Sequence, residues 1–535
     1  MIWAKEGVIM FDWIIEQGTV MDGSGKDGVV CDVGIRNGQI AAVGTLSQAE
    51  GRRIDARGKT VTPGFVDIHR HGDLAMFRPG FGELELRQGL TTIVNGNCGM
   101  SAAPFGAAYR TEILEYLAPV IGPSEQAPSE CMADYLQAVS AQSLPINVGM
   151  LVGGGVLRSD ICGHESRELT NEEYRLLHRH LEQALADGAL GVSLGLGYAP
   201  ECFYSTEGLI RALAPLSGGK IPFTVHTRDE GTNVDKSVAE MLTVAKALRC
   251  PVEISHLKAI GIQNWGVKIP NVLEMLDRAR QDGVEVRWDV YPYTAGSTQL
   301  LHILPPEVLA GGTDETCFRL RDPVERETIK ARLRTGEDYN NISLLVGWEN
   351  IEVSTVTLPE HRSFVGLSIP EAAAHVGKSP EDFTLDLLAD ERCAVTMIDR
   401  ITAEEDIRTI LRTEPVSVIS DATYPTEGLP HPRLYGNFVR LIEKYVVQEH
   451  VLTLPQAVKK MTRNPAEALR LHQKGRIEVG ADADLNIFIP EQLHETGTFA
   501  DPAHHPVGIE TVFVNGEPQI LNGVLCKESH GTVIR

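Results

Sequence analysis

The sequence predicts an α/β protein in which a (β/α)8 TIM-like barrel carries a small β-sandwich domain and an inserted lid. Two observations favour this architecture. Eight short apolar runs alternate with helical stretches through the middle of the 535-residue chain, and this alternation is typical of a parallel sheet. Both ends of the chain instead carry short strands separated by turn residues. A doubly wound open sheet is the alternative interpretation of the same alternation.

The eight apolar runs of the predicted barrel follow one another between residues 62 and 422. They read TPGFVDIH, TTIVNGN, INVGMLVG, ALGVSLGLG, IPFTVHT, PVEISHL, VEVRWDVYPY and VSVISDA. Two helices between them are especially clear, TNEEYRLLHRHLEQALADG, which ends on glycine, and NVDKSVAEMLTVAKALR, which has basic residues in its last turn. We therefore assign residues 63–471 to the barrel.

The two ends of the chain share one sequence pattern, in which short strands alternate with turn residues. FDWIIEQGTVMDG and DVGIRNGQIAAVG near the start resemble GRIEVGADADLNIFI and IETVFVNGEPQILNG near the end, all of them short strands between turns. We expect residues 1–62 and 472–535 to form one small β domain. Residues 1–9 could be an extension ahead of Met10, and they lack the apolar stretch of a signal peptide.

One connection interrupts the regular alternation. About 120 residues separate the seventh apolar run from the eighth, and a connection of this length is usually a functional insertion. We expect a lid over the barrel mouth at about residues 295–360. A buttress without a catalytic role is the alternative.

Composition limits the classes of partner. The chain has 72 acidic and 49 basic residues and a formal net charge of −23, which argues against nucleic acid or an anionic membrane as a partner. Nine cysteines without paired spacing suit a reducing cytoplasm. There is no apolar stretch of about 18 residues that would cross a membrane. We expect a cytoplasmic protein that acts on a small molecule.

Metal-binding residue types follow the predicted strands at their carboxyl ends, where barrel active sites lie. They are His69, His71, Cys98, His226, His256 and Asp421. A single histidine at a strand end is more often structural, but six such residues at one rim indicate a metal site. Imidazole and thiolate together favour zinc over magnesium or calcium.

These residues also carry a resemblance to a known family. TPGFVDIHRHGD, the late aspartate and the closing KGRIEVGADADLNIF resemble the amidohydrolase superfamily. Within it, NGNCGMSAAP, GLGYAP, HTRDEG, ISHLK, YPYTAGST, SDATYPTEGLPHPRLYGNF and MTRNPAEAL resemble the N-acyl-D-amino-acid deacylases, also called D-aminoacylases. The likeness covers nearly the whole chain, and the cysteine at the second strand is its most specific mark.

The resemblance implies a role for each candidate residue. Cys98, His226 and His256 would hold one tightly bound Zn2+, while His69 and His71 would border a second, weaker or empty position. Asp421 would be the general base. The chain departs from the family pattern by an extra glycine, Gly72, before Asp73, and by Leu257, where relatives often have another histidine.

The expected reaction is hydrolysis of an N-acyl-D-amino acid, or of a D-dipeptide, to a carboxylate and a free D-amino acid. Four residues match substrate-binding positions of the family, Arg433, Lys258, Tyr198 and Tyr291. A guanidinium group can donate two parallel hydrogen bonds to a carboxylate. Arg433 is therefore the preferred partner for the substrate α-carboxylate. For Arg433 and Lys258 a structural ion pair or a solvated position is the alternative, and for the tyrosines it is core packing.

Two other functions remain open from the sequence. A cyclic-amide hydrolase related to hydantoinases and dihydroorotases would share fold and metal, but no lysine stands at a matching strand end to bridge two metals. A non-catalytic assembly module would normally have lost metal ligands, and this chain keeps them all. The sequence does not indicate an oligomeric state.

Overall fold

A computed structural model describes residues 10–123, 130–336 and 338–535. Residues 1–9, which we assigned to the β domain, lie outside the described residues. The described strands are, in chain order, β1 (Met10–Val20), β2 (Val29–Arg36), β3 (Gln39–Gly44), β4 (Glu50–Asp55), β5 (Thr60–Pro63), β6 (Phe65–Asp67), β7 (Leu90–Asn95), β8 (Asn147–Met150), β9 (Val152–Gly153), β10 (Val192–Gly195), β11 (Phe223–His226), β12 (Val252–Ile254), β13 (Val286–Val290), β14 (Ala295–Gln299), β15 (Ile351–Thr355), β16 (Thr396–Arg400), β17 (Ser417–Val418), β18 (Leu485–Phe488), β19 (Ile509–Val514), β20 (Glu517–Leu521) and β21 (Val524–Leu525).

The helices surround the barrel and fill the insertion. They are α1 (Glu83–Arg87), α2 (Arg110–Ile121), α3 (Met132–Ser140), α4 (Gly154–Cys162), α5 (Asn171–Asp187), α6 (Thr206–Ala212), α7 (Val234–Leu248), α8 (Lys268–Gln281), α9 (Gly312–Arg321), α10 (Pro323–Thr335), α11 (Ile342–Val346), α12 (Ile369–His375), α13 (Pro380–Asp390), α14 (Glu404–Leu411), α15 (Arg433–Arg440), α16 (Leu454–Met461) and α17 (Arg463–Ala468). A π-helical segment, Leu441–Gln448, follows α15. No helix in the described ranges is both long and apolar enough to cross a membrane.

The predicted (β/α)8 barrel is confirmed. Parallel pairing joins β6 to β7 and β8, and separately joins β9, β10, β11, β12, β13 and β17. Only Leu151 separates β8 from β9, so these two segments form one barrel strand. A parallel bridge between Arg70 and Ala422 closes the ring between its first and last strands. An open doubly wound sheet is therefore excluded.

The two helices that the sequence marks most clearly form where expected. Thr170 and Glu173 make a reciprocal capping box at the start of α5, and Gly188 ends that helix in the left-handed conformation. The buried residues of α5 recur at helical spacing, as they do in α7. Both helices pack on the barrel core through these apolar faces.

The small domain draws its strands from both termini. Strands β1–β5 and β18–β21 form a nine-stranded mixed sheet, in which β4 and β5 both pair with β1. Apolar side chains of both terminal segments, including Trp13, Val33, Leu485 and Phe513, share one buried core. Since β5 ends at Pro63 and β6 begins at Phe65, we propose that the division between the two domains lies close to residues 62 and 472.

The insertion between β13 and β17 has its own core. Strands β14, β16 and β15 form an antiparallel sheet, and α9–α13 pack beside it. Buried residues such as Leu300, Ile351 and Met397 belong to this separate cluster rather than to the barrel core. The sheet runs from Ala295 to Arg400, so the inserted unit continues beyond residue 360.

Candidate metal centre and active site

Four side chains from distant parts of the sequence converge at the carboxyl end of the barrel. His69, Cys98, His256 and Asp421 each follow a barrel strand within three residues, and each offers one ligand-type atom within 4.8 Å of the others. A second group, His226, Glu230 and His256, meets the same criterion and shares His256. The predicted rim of metal-binding residues is therefore a cluster in space.

The thiol of Cys98 lies between two imidazoles. Its Sγ is 3.3 Å from His69 Nε2 and 3.5 Å from His256 Nε2. His226 Nδ1 is 3.1 Å from the same His256 Nε2. Ligands about 2.0–2.3 Å from a tetrahedral zinc ion lie roughly 3.3–3.7 Å from one another. The spacings among His69, Cys98 and His256 fit ligands that share one zinc ion, whereas His226 contacts this set through His256 and belongs to the second group.

Glu230 lies beside the imidazoles of His226 and His256 and is within hydrogen-bond distance of His256. Its Oε1 is 3.0 Å from His256 Nδ1, and its Oε2 is 3.7 Å from His226 Nε2. His256 Nδ1 thus lies beside both this carboxylate and Lys258 Nζ, which is 2.8 Å away, and Nε2 of the same ring faces Cys98. Glu230 therefore contacts both imidazoles and forms with them the second group of residues that could hold a metal ion.

Burial shifts the pKa values of the candidate ligands His69, His226 and Cys98. Burial lowers the pKa of His69 to about 3 and that of His226 well below its usual value. Both imidazoles are therefore neutral, which metal binding requires. Burial also raises the pKa of Cys98 well above its usual value, so a bound cation is needed to hold its thiolate.

Three residues of the cluster have an unusual backbone conformation. Cys98, His256 and Asp421 have φ angles of +53°, +37° and +54°, in the left-handed region that non-glycine residues rarely occupy. Such conformations are concentrated at functional sites, where surrounding contacts hold them in place. Here they turn each side chain inward just after its barrel strand ends.

The loop that carries Cys98 is held by the neighbouring strands. Ser193 Oγ accepts a hydrogen bond from Gly99 N at 3.0 Å and donates one to Gly96 O at 2.5 Å. The buried carboxylate of Asp73 accepts from Gly96 N at 3.4 Å and from Ala102 N at 3.2 Å. The aspartate that follows the histidine pair therefore secures the cysteine loop.

The extra glycine before Asp73 has a steric reason. A Cβ at Gly72 would lie 2.9 Å from Tyr424 Cε2 and 3.0 Å from Asn95 Oδ1. Gly72 N also donates to that Asn95 oxygen at 2.9 Å. The absence of a side chain lets the chain pass beneath Tyr424 between His71 and Asp73.

Asp421 lies between the histidine pair and a buried arginine. Its Oδ1 is 3.2 Å from His71 Nε2 and 3.4 Å from His69 Nε2, and its Oδ2 is 3.0 Å from Arg433 Nη1. Burial favours the neutral carboxyl, but Arg433 and the two histidines outweigh burial and hold the pKa of Asp421 well below its usual value. Asp421 is therefore a carboxylate that can accept a proton.

The four predicted substrate-binding residues surround this centre. Lys258, Tyr198 and Tyr291 line the same small cavity as Asp421. Lys258 Nζ is 2.8 Å from Glu230 Oε1 and 2.8 Å from His256 Nδ1. The structure thus places Lys258 in a buried ion pair beside the candidate metal ligands.

Arg433 and Tyr198 contact the centre in different ways. The Arg433 guanidinium lies over the Tyr291 ring at 4.8 Å and donates to Ser297 O at 3.1 Å. The Tyr198 hydroxyl lies 3.2 Å from His226 Nδ1. His71 reaches Asp421, whereas its partner His69 lies directly beside Cys98.

Sequence reasoning missed Glu230 and the cavity residues that the insertion supplies. Glu230 stands four residues after His226 within HTRDEG, and that spacing was the available signal. Asp399 and His302 line the same cavity from the insertion. They follow no barrel strand, so the strand-end criterion could not find them.

Comparison with known proteins identifies the family. Residues 370–520 match the amidohydrolase family. A D-aminoacylase of Alcaligenes xylosoxydans xylosoxydans is 34% identical over 95% of this chain and 94% of its own length. An N-acyl-D-glutamate deacylase of the same organism is 35% identical over 94% of this chain and 93% of its own length.

Solved structures give the same result. The N-acyl-D-glutamate deacylase of Bordetella bronchiseptica, complexed with zinc and a phosphonate inhibitor, has a TM-score of 0.84 at 30% identity and covers 98% of this chain and 100% of its own. A D-aminoacylase described as a novel subset of amidohydrolases has a TM-score of 0.81 at 31% identity, with the same coverage of both chains. L-Hydantoinase from Arthrobacter aurescens, at 16% identity and a TM-score of 0.56, shares the fold alone. This chain therefore belongs to the N-acyl-D-amino-acid deacylase family of the amidohydrolases.

Proposed function

We propose that this chain is a zinc-dependent hydrolase that cleaves the amide bond of N-acyl-D-amino acids. The observation that carries the proposal is the convergence of Cys98, two histidines and Asp421 within 4.8 Å at the barrel rim. Relatives about one-third identical over nearly the whole chain are D-aminoacylase and N-acyl-D-glutamate deacylase. The products are a carboxylate and a free D-amino acid.

Cys98, His226 and His256 would hold one zinc ion tightly, and His69 and His71 would border a second, weaker position. The contacts of Cys98 Sγ and of His226 Nδ1 with the same His256 nitrogen support this assignment, while the 3.3 Å contact of Cys98 Sγ with His69 Nε2 brings His69 to the border of that position. When bound, zinc supplies a Lewis acid that polarises an amide carbonyl and lowers the pKa of water. Glu230 lies beside His226 and His256 and forms with them the second group that could hold a metal ion.

Asp421 is proposed to move the proton of the reaction. Its Oδ1 faces His69 and His71, and its carboxylate is ionised. It would take a proton from the attacking water and give that proton to the leaving amine as the amide bond breaks. Its left-handed backbone and the contact of Oδ2 with Arg433 hold it in place.

Arg433 is proposed to bind the α-carboxylate of the substrate. Its side chain is 1% exposed, Nε has no hydrogen-bond partner among the described residues, and Nη1 is paired with the Asp421 carboxylate at 3.0 Å. A buried guanidinium donor without a partner is suited to an anionic substrate group. Lys258 adds a second cation on the cavity wall, and Tyr198 and Tyr291 contribute hydroxyl donors.

The inserted unit is proposed to act as a lid. Ser297, His302, Asn340 and Asp399 from this unit line the cavity at the metal centre. A covered site excludes water and strengthens every charge interaction inside it. A buttress would pack against the outside of the barrel and would not supply cavity residues.

A panel of substrates tests the proposed reaction. The zinc-loaded enzyme should hydrolyse N-acetyl- and N-formyl-D-amino acids and largely ignore the L forms, and D-dipeptides belong in the same panel. Hydantoin and dihydroorotate serve as cyclic-amide controls. Ring opening without hydrolysis of any linear D-substrate would replace the proposal with a cyclic-amide hydrolase.

A further inference from the structure

His302 is a buried histidine with unused hydrogen-bonding capacity. It lies in a helical turn, Leu300–Ile303, directly after β14, and it is 9% exposed. Neither Nδ1 nor Nε2 has a hydrogen-bond partner among the described residues. Buried polar atoms normally have partners, so an unpartnered imidazole on a cavity wall indicates a group that binds a ligand.

An aromatic stack holds the His302 ring. The ring centroid of His302 is 4.1 Å from that of Tyr198, which in turn is 4.3 Å from that of His226. Through Tyr198, this stack connects His302 to the candidate ligand His226, although His302 itself is not one of the candidate metal ligands. Its ring orientation is therefore set by packing, and its nitrogen atoms remain available.

His302 forms part of the wall between two cavities. One cavity, of about 50 Å³, contains the metal centre, and the other, of about 500 Å³, lies beyond it. Gly197, His302 and Asn340 line both cavities. Asn340 Oδ1 is a second buried atom without a partner in the described ranges. The shared wall thus presents two uncharged polar groups.

The cations of the larger cavity are already engaged within the protein. The Arg228 guanidinium contacts the Glu240 carboxylate at 3.1 Å and donates to two backbone carbonyls. Lys236 lies at the exposed edge, where Nζ donates to Asn233 Oδ1 at 2.8 Å. These side chains do not provide a buried, free cation for a carboxylate.

Acidic residues further disfavour an anionic occupant. Asp229, Glu240 and Asp338 line the same cavity. Asp229 accepts hydrogen bonds from Gly231 N and Asn233, and Asp338 pairs with Arg332 at 2.8 Å. Glu240 and Asp338 already pair with arginines, and Asp229 has no cation among its hydrogen-bond partners in the described part of the chain, so a further negative charge in this cavity would meet a carboxylate and no free guanidinium.

A separate small cavity fits the acyl group. It measures about 20 Å³ and lies beside Cys98, with Met100, Leu117 and Val156 among its apolar lining residues. A cavity of this size matches the methyl group of a short acyl chain. The larger cavity is therefore left for the side chain of the D-amino acid.

We propose that the larger cavity binds the substrate side chain and that His302 selects a side chain ending in an uncharged hydrogen-bonding group, such as a carboxamide. This inference rests on the proposed function and names its substrate class. A neutral imidazole can both donate to and accept from a carboxamide, but it cannot neutralise a carboxylate removed from water. Burial lowers the pKa of His302 to about 3, so the ring stays neutral at physiological pH.

The test compares substrates of matched shape. N-acetyl-D-glutamine, N-acetyl-D-glutamate, N-acetyl-D-norleucine and N-acetyl-D-lysine are assayed with the zinc-loaded enzyme. We expect kcat/KM for the glutamine derivative to exceed that for glutamate at least tenfold. His302→Phe keeps a planar ring for the Tyr198 stack, and it should lower kcat/KM for glutamine about tenfold while leaving norleucine within about twofold, since only a hydrogen bond is lost.

Controls separate specificity from folding. His302→Gln restores an uncharged donor and acceptor and should recover part of the glutamine activity. His375→Phe makes the same change at an exposed position of α12 in the insertion and should change neither substrate. Thermal unfolding midpoints check that each variant is folded, and His302→Gln carries the test if His302→Phe does not fold.

Each remaining outcome is decisive. A preference for glutamate or lysine over glutamine, or equal losses on norleucine and glutamine in the variants, would overturn the selection by His302. If His302→Phe instead alters discrimination between acetyl and longer acyl groups, the cavity binds the acyl chain and the inference is wrong. Absence of activity on all N-acyl-D-amino acids would contradict the proposed function itself.

Discussion

At the scale of single residues, the site depends on side chains whose neighbours set their charge. Cys98 is buried beside two imidazoles, and Asp421 remains ionised because Arg433 and two histidines offset its burial. Charged groups removed from water need such partners. Each residue therefore makes a distinct contribution that a substitution can isolate.

Replacing Cys98 with alanine should abolish zinc binding and activity together. The thiolate is the softest ligand of the cluster and lies within 3.5 Å of two imidazoles. Zinc content by elemental analysis and turnover of N-acetyl-D-amino acids measure the effect. Cys162→Ala, at a buried thiol in α4, is the matched control and should retain both. Full zinc content with normal turnover in Cys98→Ala would remove Cys98 from the ligand set.

Asp421→Asn should keep the fold and the zinc but lose most of the rate. Loss of a general base typically lowers kcat by about 10²–10⁴. The cysteine and histidine ligands are unchanged, so zinc content should stay at the wild-type level. A near wild-type rate in this variant would assign proton transfer to another group, and His71, 3.2 Å from Asp421 Oδ1, would be tested next.

Arg433→Met should weaken the recognition of the substrate α-carboxylate. Removing one partner of a desolvated ion pair lowers transition-state stabilisation by about 2–5 kcal/mol, measured as kcat/KM. Because Arg433 also contacts Asp421, the substrate α-amide supplies the necessary comparison. Masking the carboxylate should impair wild type strongly and the variant much less. Equal turnover of acid and amide by wild type would show that Arg433 does not bind this carboxylate.

At the scale of elements, a buried ionic network joins the first and last barrel strands. Arg70, the residue between the two site histidines, contacts Asp67 at 3.2 Å, Glu85 at 3.2 Å and the Tyr424 hydroxyl at 2.8 Å. Asp67 in turn accepts a hydrogen bond from Ser420 N at 3.2 Å. The network lies next to the bridge between Arg70 and Ala422, which closes the barrel. His69 and Asp421 are the residues that precede Arg70 and Ala422.

Arg70→Met should destabilise the fold much more than a surface substitution. It leaves two buried carboxylates without their cation, and breaking a buried pair in this way costs about 3–5 kcal/mol. The free energy of unfolding in denaturant measures the loss. Arg87→Met breaks a partly exposed pair with Glu83 on α1 and should cost less than about 1 kcal/mol. Equal losses in the two variants would contradict the structural role of the network.

At the scale of the whole molecule, the metal site joins most of the barrel. Its residues come from the ends of β6, β7, β11, β12 and β17, while the cavity walls include residues of the insertion. A ligand that binds only the folded chain stabilises that chain by an amount that grows with the logarithm of its free concentration relative to its Kd. Zinc therefore contributes to stability as well as to activity.

Removing zinc with a chelator should lower the thermal unfolding midpoint and abolish turnover. Zinc at about 100 times its Kd would restore roughly 2.7 kcal/mol of stability. The Cys98→Ala variant is the control, because its midpoint should respond much less to added zinc. An unfolding midpoint that is the same with and without zinc would contradict a site built into the folded barrel.

Local patterns along the chain were sufficient to predict the barrel fold and to select the candidate metal ligands. The eight apolar runs, the capped helix at Asn171–Asp187 and the strand-end positions of His69 and Cys98 are all short-range signals. The roles of these residues came from family resemblance. Gly72 could be noticed in the sequence, but its reason could not, since its steric neighbours are Tyr424 and Asn95.

Side chains that act through long-range packing were identified only from the fold. Glu230 contacts two imidazoles, and His302 reaches the cavity from an insertion with its own core. Neither residue directly follows a barrel strand, and the position of Glu230 four residues after His226 was the one local signal for it. Periodicity reports which face of an element is buried, whereas the pairing of a carboxylate with an imidazole depends on how separate elements pack together.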